Sequence, residues 1–269
     1  MRLERWNMGK WNRSALAVAK SIVRFSNRKL EGYGLELLRR KRPYDEDGLA
    51  SYHSHDFMED DRFLQAYRRG IKACNEDYHF HWRVHVALWA AQYCLSLDGD
   101  FVECGVNRGV LSSSIMDFLR WNSTGRRFFL FDTFCGLDAR YAHADELHTM
   151  PQYAECYGAA NANFAEFQNV FLIQGPVPDT LSQAAIDTVC YLSIDMNCAI
   201  PEVAAAEFFW DRLSDGGLVL LDDYGYAGHR RQKDALDEFA TARAVQILSL
   251  PTGQGLIIKP PTRGKNIAR

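Results

Sequence analysis

Asp100-Phe-Val-Glu-Cys-Gly-Val-Asn-Arg-Gly109 combines a short β-type run, an acidic residue near its end, two glycines and the start of an apolar helical run at about Val110. Strand, tight turn and helix in this order form the opening unit of a nucleotide-type α/β sheet. Glycines at 105 and 109 let the chain turn tightly and let a ligand approach the backbone. The spacing is G-x-x-x-G, with Asn107 where a dinucleotide fold needs its second glycine beside the pyrophosphate. That weighs against a nicotinamide cofactor.

Downstream, β-type runs at Phe128–Phe131, Val170–Ile173, Val189–Ile194, Leu218–Leu221, Val245–Leu248 and Gly255–Lys259 follow Asp100–Cys104, most of them separated by helical stretches. Such alternation predicts parallel strands with helices on both faces. Only Pro251-Thr252-Gly253 separates the clearest part of the last two runs, too little for a helical crossover, so they pair antiparallel. The expected fold is α/β: a doubly wound, mostly parallel seven-stranded sheet of Rossmann-like type with an antiparallel terminal hairpin. Upstream, residues 1–95 read as an N-terminal helical extension. It comprises a basic amphipathic helix over Ser14–Leu30, a linker over 31–55, and helices over Met58–Cys74 and His81–Leu97. The expected organisation is 1–95 extension, 96–260 catalytic domain and 261–269 tail.

With 47% hydrophobic and 24% charged residues in 269, the chain has globular composition. Its longest apolar stretch, Val84–Leu97, is short and broken by His85 and Gln92, which excludes a transmembrane helix there. The start is too basic and polar for a secretory signal. Seven cysteines with no CxxC pair speak against a zinc site or disulfide framework and for the cytoplasm. Residues 1–42 carry twelve Lys/Arg against three Asp/Glu, while the remainder carries nineteen against thirty-one. The acidic body disfavours nucleic acid as a partner. The basic helix with Lys20, Arg24 and Arg28 suits either a peripheral contact with an anionic membrane or packing against a second subunit of a homo-oligomer or against the body of the chain.

Candidate chemistry sits at the strand ends. Asp132, closing Phe129-Leu-Phe-Asp132, can accept both ribose hydroxyls of an adenosine group. Glu103, two positions before Gly105, suits a cationic amino-acid end. Asp195 in Ser193-Ile-Asp195-Met-Asn197 and Asp222-Asp223 after Leu218-Val-Leu-Leu end neighbouring strands, about 4.8 Å apart. Three carboxylates so placed repel one another unless a cation sits among them, and a hard oxygen site suits Mg²⁺. Capping of a helix explains any one of them but poorly explains all three. The long segment Gly136–Gly158 reads as a lid, and Tyr224, Tyr226 and His229 as the lining of an acceptor pocket.

Taken in order, Glu103-Cys-Gly-Val-Asn-Arg-Gly109, Leu130-Phe-Asp-Thr-Phe134, Gly175-Pro-Val-Pro-Asp-Thr-Leu181, Ser193-Ile-Asp-Met-Asn197 and Gly216-Gly-Leu-Val-Leu-Leu-Asp-Asp-Tyr-Gly225 resemble the macrocin O-methyltransferase family of class I S-adenosylmethionine (SAM)-dependent methyltransferases. The resemblance covers roughly residues 80–260. It implies SAM as cofactor, Mg²⁺ on Asp195, Asp222 and Asp223, and a carbohydrate hydroxyl of a glycosylated natural product or surface polysaccharide as acceptor. Glu103, Gly105 and Asp132 match the cofactor positions, and Asn107, Gly109, Thr133 and Gln174 complete the expected cofactor set. One departure stands out: the family's general-base Asp is here Asn197, and a neutral amide cannot take a proton. A histidine (His85, His143, His148 or His229) can serve instead, the metal can acidify the hydroxyl, or the protein binds SAM without methylating. The expected catalytic pair is Asn197 with His229. The rival readings are a non-catalytic SAM-binding subunit and an NAD(P)-dependent oxidoreductase.

Overall fold

The computed structural model describes residues 21–22, 25–26, 44–147 and 153–262. Most of the helix expected over Ser14–Leu30, including Lys20, Arg24 and Arg28, lies outside the described residues, as does His148.

Seven strands form one sheet: β1 (Asp100–Cys104), β2 (Phe128–Asp132), β3 (Val170–Gln174), β4 (Val189–Ile194), β5 (Leu213–Leu221), β6 (Leu248–Ser249) and β7 (Gly255–Ile258). Their order is β3-β2-β1-β4-β5-β7-β6. The first five run parallel, and β7 lies antiparallel to both β5 and β6, as the short Pro251–Gly253 connection requires. Two strands differ from expectation. β5 starts at Leu213 rather than Leu218, because Gly216 and Gly217, which look like a turn, stay in the ladder. Gly216 N donates to Lys259 O (2.9 Å) and Lys259 N donates to Gly217 O (2.8 Å). β6 keeps only Leu248–Ser249 of the run that begins at Val245.

The helices are α1 (Asp61–Cys74), α2 (His81–Cys94), α3 (Val110–Leu119), α4 (Tyr157–Phe164), α5 (Ala199–Trp210) and α6 (Arg230–Ala242). The Asp60 carboxylate caps α1 by accepting from Phe63 N at 2.9 Å, which sets the helix start after a 3₁₀ turn over Asp56–Glu59. Alternation along the strands divides the core into two layers. Phe101, Phe128 and Tyr191 face Phe63, Leu88, Ile115 and Trp121 from the helices of one side. Val102, Phe129, Phe131 and Leu192 face Phe209, Leu213 and Leu236 on the other. Thus α1 and α2 share a core with the sheet. The linker expected over 31–55 contains a hairpin turning at Asp47-Gly48, both left-handed at φ 51° and 68°, the pattern of a type I′ turn. Among the described residues, no helix is long and apolar enough to cross a membrane.

Because β1, β2, β4 and β5 are parallel and in register, Cys104, Phe131, Ile194 and Leu221 align at one sheet edge. The residues that follow them, Gly105, Asp132, Asp195 and Asp222, are therefore carried to the same place.

Candidate functional site

A cavity of about 700 Å³ lies over that edge. Glu103, Gly105, Asn107, Asp132, Thr133, Asp195, Asn197, Asp222, Asp223 and His229 all line it. Gly109 and Gln174 lie outside the lining. Gly109 caps α3 at φ 88°, where a Cβ would meet the Phe164 ring at 2.2 Å, and Gln174 is exposed at the end of β3.

On one side of the cavity Glu103 is buried and accepts a hydrogen bond from Ser112 Oγ. Burial pushes its carboxyl up to about 8. Ser112 works against that shift, and the charges of Asp222 and Asp132 add to it. Among the described residues no basic side chain compensates it. Asp132 is a knot as well as a wall. Its Oδ2 accepts from Val106 N (2.6 Å) and Asn107 N (2.7 Å), and its Oδ1 accepts from Phe134 N (2.6 Å). An ionised carboxylate offers about four acceptor positions, so beyond these three backbone donors a hydroxyl still fits; the Thr133 hydroxyl lies 3.3 Å from Oδ1. The Thr133 hydroxyl donates to Gly136 O at 2.5 Å and so holds the next turn.

The other side is acidic and holds a side chain the sequence reading passed over. Arg83 of α2 is buried, with Nη1 donating to Asp222 Oδ2 (2.6 Å) and lying 3.4 Å from Asp223 Oδ1. Its Nε and Nη2 reach Asp47 at 2.8 and 3.3 Å. Burial opposes its charge, but Asp222, Asp47 and Asp223 outweigh burial and hold it protonated. Asp222 Oδ1 is taken by Gln254 Nε2 at 2.8 Å. Asp195 keeps part of its surface open to the cavity while lying deep in the protein. Burial, then Asp222 and Asp223, raise its pKa well above the carboxylate range. The oxygens of Asp195, Asp222 and Asp223 do not all come within 4.8 Å of one another, a spacing met among the described residues by Asp77, His79 and His81. In this arrangement the three aspartates expected to hold Mg²⁺ do not present an open ligand set, because a guanidinium and an amide already bond Asp222.

Asn197 sits at φ 57°, a left-handed conformation that Asn tolerates, and its Nδ2 donates to Asp195 Oδ1 at 3.3 Å. His229 precedes α6 with Nδ1 2.7 Å from Gln232 Oε1 and Nε2 3.8 Å from Asp223 Oδ2. Buried Gln232 spends its amide N–H on Glu202 (3.1 Å), so its oxygen is left to accept from His229 Nδ1, which puts the ring lone pair on Nε2, toward the cavity. The other described candidates, His85, His143 and Tyr224, do not line the cavity. His85 stacks on Phe57 at 4.0 Å, a core histidine whose pKa burial lowers. His143 lies outside the lining, where its backbone N–H binds Glu146. Tyr224 turns from the cavity to Asp237 (2.6 Å), whereas Tyr226 stays in the lining. From the expected lid, Leu137, Asp138, Tyr141 and Tyr153 reach the wall, and burial beside Asp195 and Asp223 pushes the Tyr153 hydroxyl up to about 12.

Asp47, Gln254, Glu202 and Gln232 also went unseen in the sequence. Arg83 alone left a signal: an arginine inside a helix whose other buried faces are apolar must find an anion.

A family model described as Macrocin-O-methyltransferase (TylF) matches residues 91–248. The chain is similar to the 8-demethyl-8-(2,3-dimethoxy-alpha-L-rhamnosyl)-tetracenomycin-C 4'-O-methyltransferase of Streptomyces olivaceus, with 29% identity over 151 residues, 49% of this chain and 58% of that protein. It thus spans 58% of the length of this curated relative. Among solved structures, the O-methyltransferase NovP is similar at TM-score 0.59 and 22% identity, over 66% of this chain and 80% of NovP. The calicheamicin methyltransferase CalS11 is similar at TM-score 0.53 and 14% identity, over 82% of this chain and 99% of CalS11. These likenesses show the Rossmann-like class I fold read from the strand order. The match across more than half of the chain, on a sheet whose motif-bearing tips meet in one cavity, shows that this chain belongs to the macrocin-O-methyltransferase (TylF) family.

Proposed function

We propose that the chain is a SAM-dependent O-methyltransferase acting on a sugar hydroxyl of a glycosylated natural product or surface polysaccharide. Glu103 carries this reading. It is a carboxyl buried at a cavity wall, pushed up to about 8 and, among the described residues, uncompensated by a basic side chain, an environment that suits a cationic ligand group. The α-ammonium of the cofactor's methionine end has that charge, and Asp132 lines the same cavity with room for a ribose hydroxyl. The name of the Streptomyces olivaceus relative specifies 4'-O-methylation of a rhamnosyl product, which supports a sugar acceptor.

When bound, SAM supplies an electrophilic sulfonium methyl. The chain's own residues do the rest. Glu103 binds the ammonium, and Asp132 and the loop around Asn107 hold the nucleoside. Tyr226 and Tyr153 offer aromatic faces to the acceptor, and Asn197 orients Asp195 without adding charge. His229 Nε2 takes the hydroxyl proton, its ring fixed through Nδ1 by Gln232.

Calorimetry with S-adenosylhomocysteine (SAH, the demethylated product) and transfer of labelled methyl to a panel of nucleotide sugars and glycosides test the reading. Saturable SAH binding and a labelled sugar are expected; no SAH binding removes it. His229→Ala is expected to lower turnover by about 10²–10⁴-fold with SAH affinity intact. Asn197→Asp places a carboxylate where an amide now meets Asp195 at 3.3 Å, and no gain in turnover is expected. An inactive wild type with an active Asn197→Asp variant would instead favour a non-catalytic SAM-binding subunit.

A pH effect follows from Glu103. Below about 8 its carboxyl holds a proton in the unliganded protein, and a cationic ligand must expel it. SAH affinity is expected to rise with pH up to about 8, by about tenfold per unit at most. Proton release should appear as a buffer-dependent heat, which Glu103→Gln abolishes. The stability of the unliganded chain runs the other way. Glu103 and Glu202 both rise from 4.5 to about 8 on folding, so the stability they contribute below 4.5 is lost as pH climbs toward 8. Melting temperature should fall across that window.

A further inference from the structure

We propose that the Arg83 guanidinium, clamped between Asp47 and the Asp222–Asp223 pair, is the resident cation of this site, so that the carboxylate cluster takes up no divalent metal and the acceptor is handled without one. For the acceptor chemistry this rests on the methyltransferase reading; for the occupancy of the cluster it rests on geometry alone.

The guanidinium is a planar fork, and both of its edges are used. One edge, Nε with Nη2, meets the two oxygens of Asp47 at 2.8 and 3.3 Å. From the other edge, Nη1 meets Asp222 Oδ2 at 2.6 Å with Asp223 Oδ1 at 3.4 Å. An ammonium has three donors on one atom but no planar fork with two edges to present. The Phe80 and Tyr226 rings stand 4.8 and 5.2 Å from the guanidinium carbon, and the side chains of Arg83 and Asp47 are each only 7% exposed. The arginine is thus built in rather than leaning on the site from the surface.

Most of the carboxylate oxygens have a polar neighbour as well. Asp222 spends Oδ2 on Arg83 and Oδ1 on buried Gln254, Asp223 has Arg83 near Oδ1 and His229 near Oδ2, and Asp195 Oδ1 accepts from Asn197. An octahedral ion needs ligand oxygens at about 2.0–2.1 Å around one centre. To gather them here, Asp222 would have to release a charged partner and a buried amide, and the dication would then stand beside a guanidinium that Asp47 retains. Like charge against like in a desolvated pocket opposes that exchange.

Mn²⁺ titration of the full chain, followed by the free-ion paramagnetic resonance signal and by calorimetry, tests this. Asp195→Asn separates the cluster from Asp77, His79 and His81, a different place where a metal can bind. The wild type is expected to show no Mn²⁺ uptake that Asp195→Asn removes. Arg83→Met, which deletes the cation and leaves the anions, is expected to bind one Mn²⁺ at least tenfold more tightly than wild type, and adding Asp195→Asn should reverse the gain. Uptake of one equivalent by wild type that Asp195→Asn abolishes overturns the inference. So does a folded Arg83→Met variant with no gain. If that variant does not fold, the wild-type titration decides alone. SAH binding in the same samples reports on the functional reading separately: a chain that binds SAH and also takes up Mn²⁺ through Asp195 defeats only the counter-ion assignment. A chain that binds neither defeats only the functional reading.

Discussion

Gly105→Ala is expected to abolish SAH binding and to lower the melting temperature by about 6–12 °C, the shift for a loss of about 3 kcal/mol in a domain of this size. Gly105 has φ 91°, a region alanine rarely adopts, and its Cβ would lie 1.7 Å from the Asp195 carbonyl oxygen and 2.3 Å from the carbonyl carbon. Neither backbone can step aside. Gly105 N donates to Phe131 O at 2.8 Å, and Asp195 N donates to Cys104 O at 2.8 Å, so both strand tips are pinned in the middle of the sheet. Any relaxation must splay β1 from β4, which separates Glu103 from the Asp195 side of the cavity. Thermal denaturation and SAH calorimetry check the result. A variant that melts within about 2 °C of wild type and binds SAH normally would show that the tips do not pack as described.

Asp132→Ala should cost at least about a hundred-fold in SAH affinity, equivalent to about 2.7 kcal/mol. A charge-assisted hydrogen bond to one ribose hydroxyl is worth about 1.5–3 kcal/mol. A further loss comes from the protein itself. Val106 N, Asn107 N and Phe134 N all lose their acceptor, and with it the loop after β1 loses its tie to β2. Asp132→Asn keeps one acceptor oxygen and should fall between wild type and Ala. Calorimetry on variants with wild-type circular dichroism decides. Affinity for the Ala variant within threefold of wild type would reduce Asp132 to a turn cap.

The two substitutions act on opposite sides of β1, and both positions are legible in the sequence. Glycine after a strand at 105, an acid two residues earlier and an aspartate at the next strand's end are local patterns. Parallel strands bring all such ends to one edge. Period-two burial and the three-residue connection at Pro251–Gly253 likewise follow from interactions between residues close in sequence or from rules of crossover length. The error in β5 shows where local reading stops: Gly216-Gly217 looks like a turn on its own and becomes strand through its bonds with Lys259.

By itself, then, the sequence determined the order of strands and helices, the antiparallel closing pair and the set of acidic strand ends that face the cavity. Which cation answers those acids was decided in three dimensions. Arg83 meets Asp222 across 139 positions of sequence, Asp47 joins it from a hairpin, and Gln254 reaches Asp222 from the turn before β7. His85 and Tyr224, which read as site residues, are claimed by Phe57 and Asp237. Charge pairing in a desolvated site depends on distance and on every neighbour at once, and no periodicity or spacing along the chain encodes it.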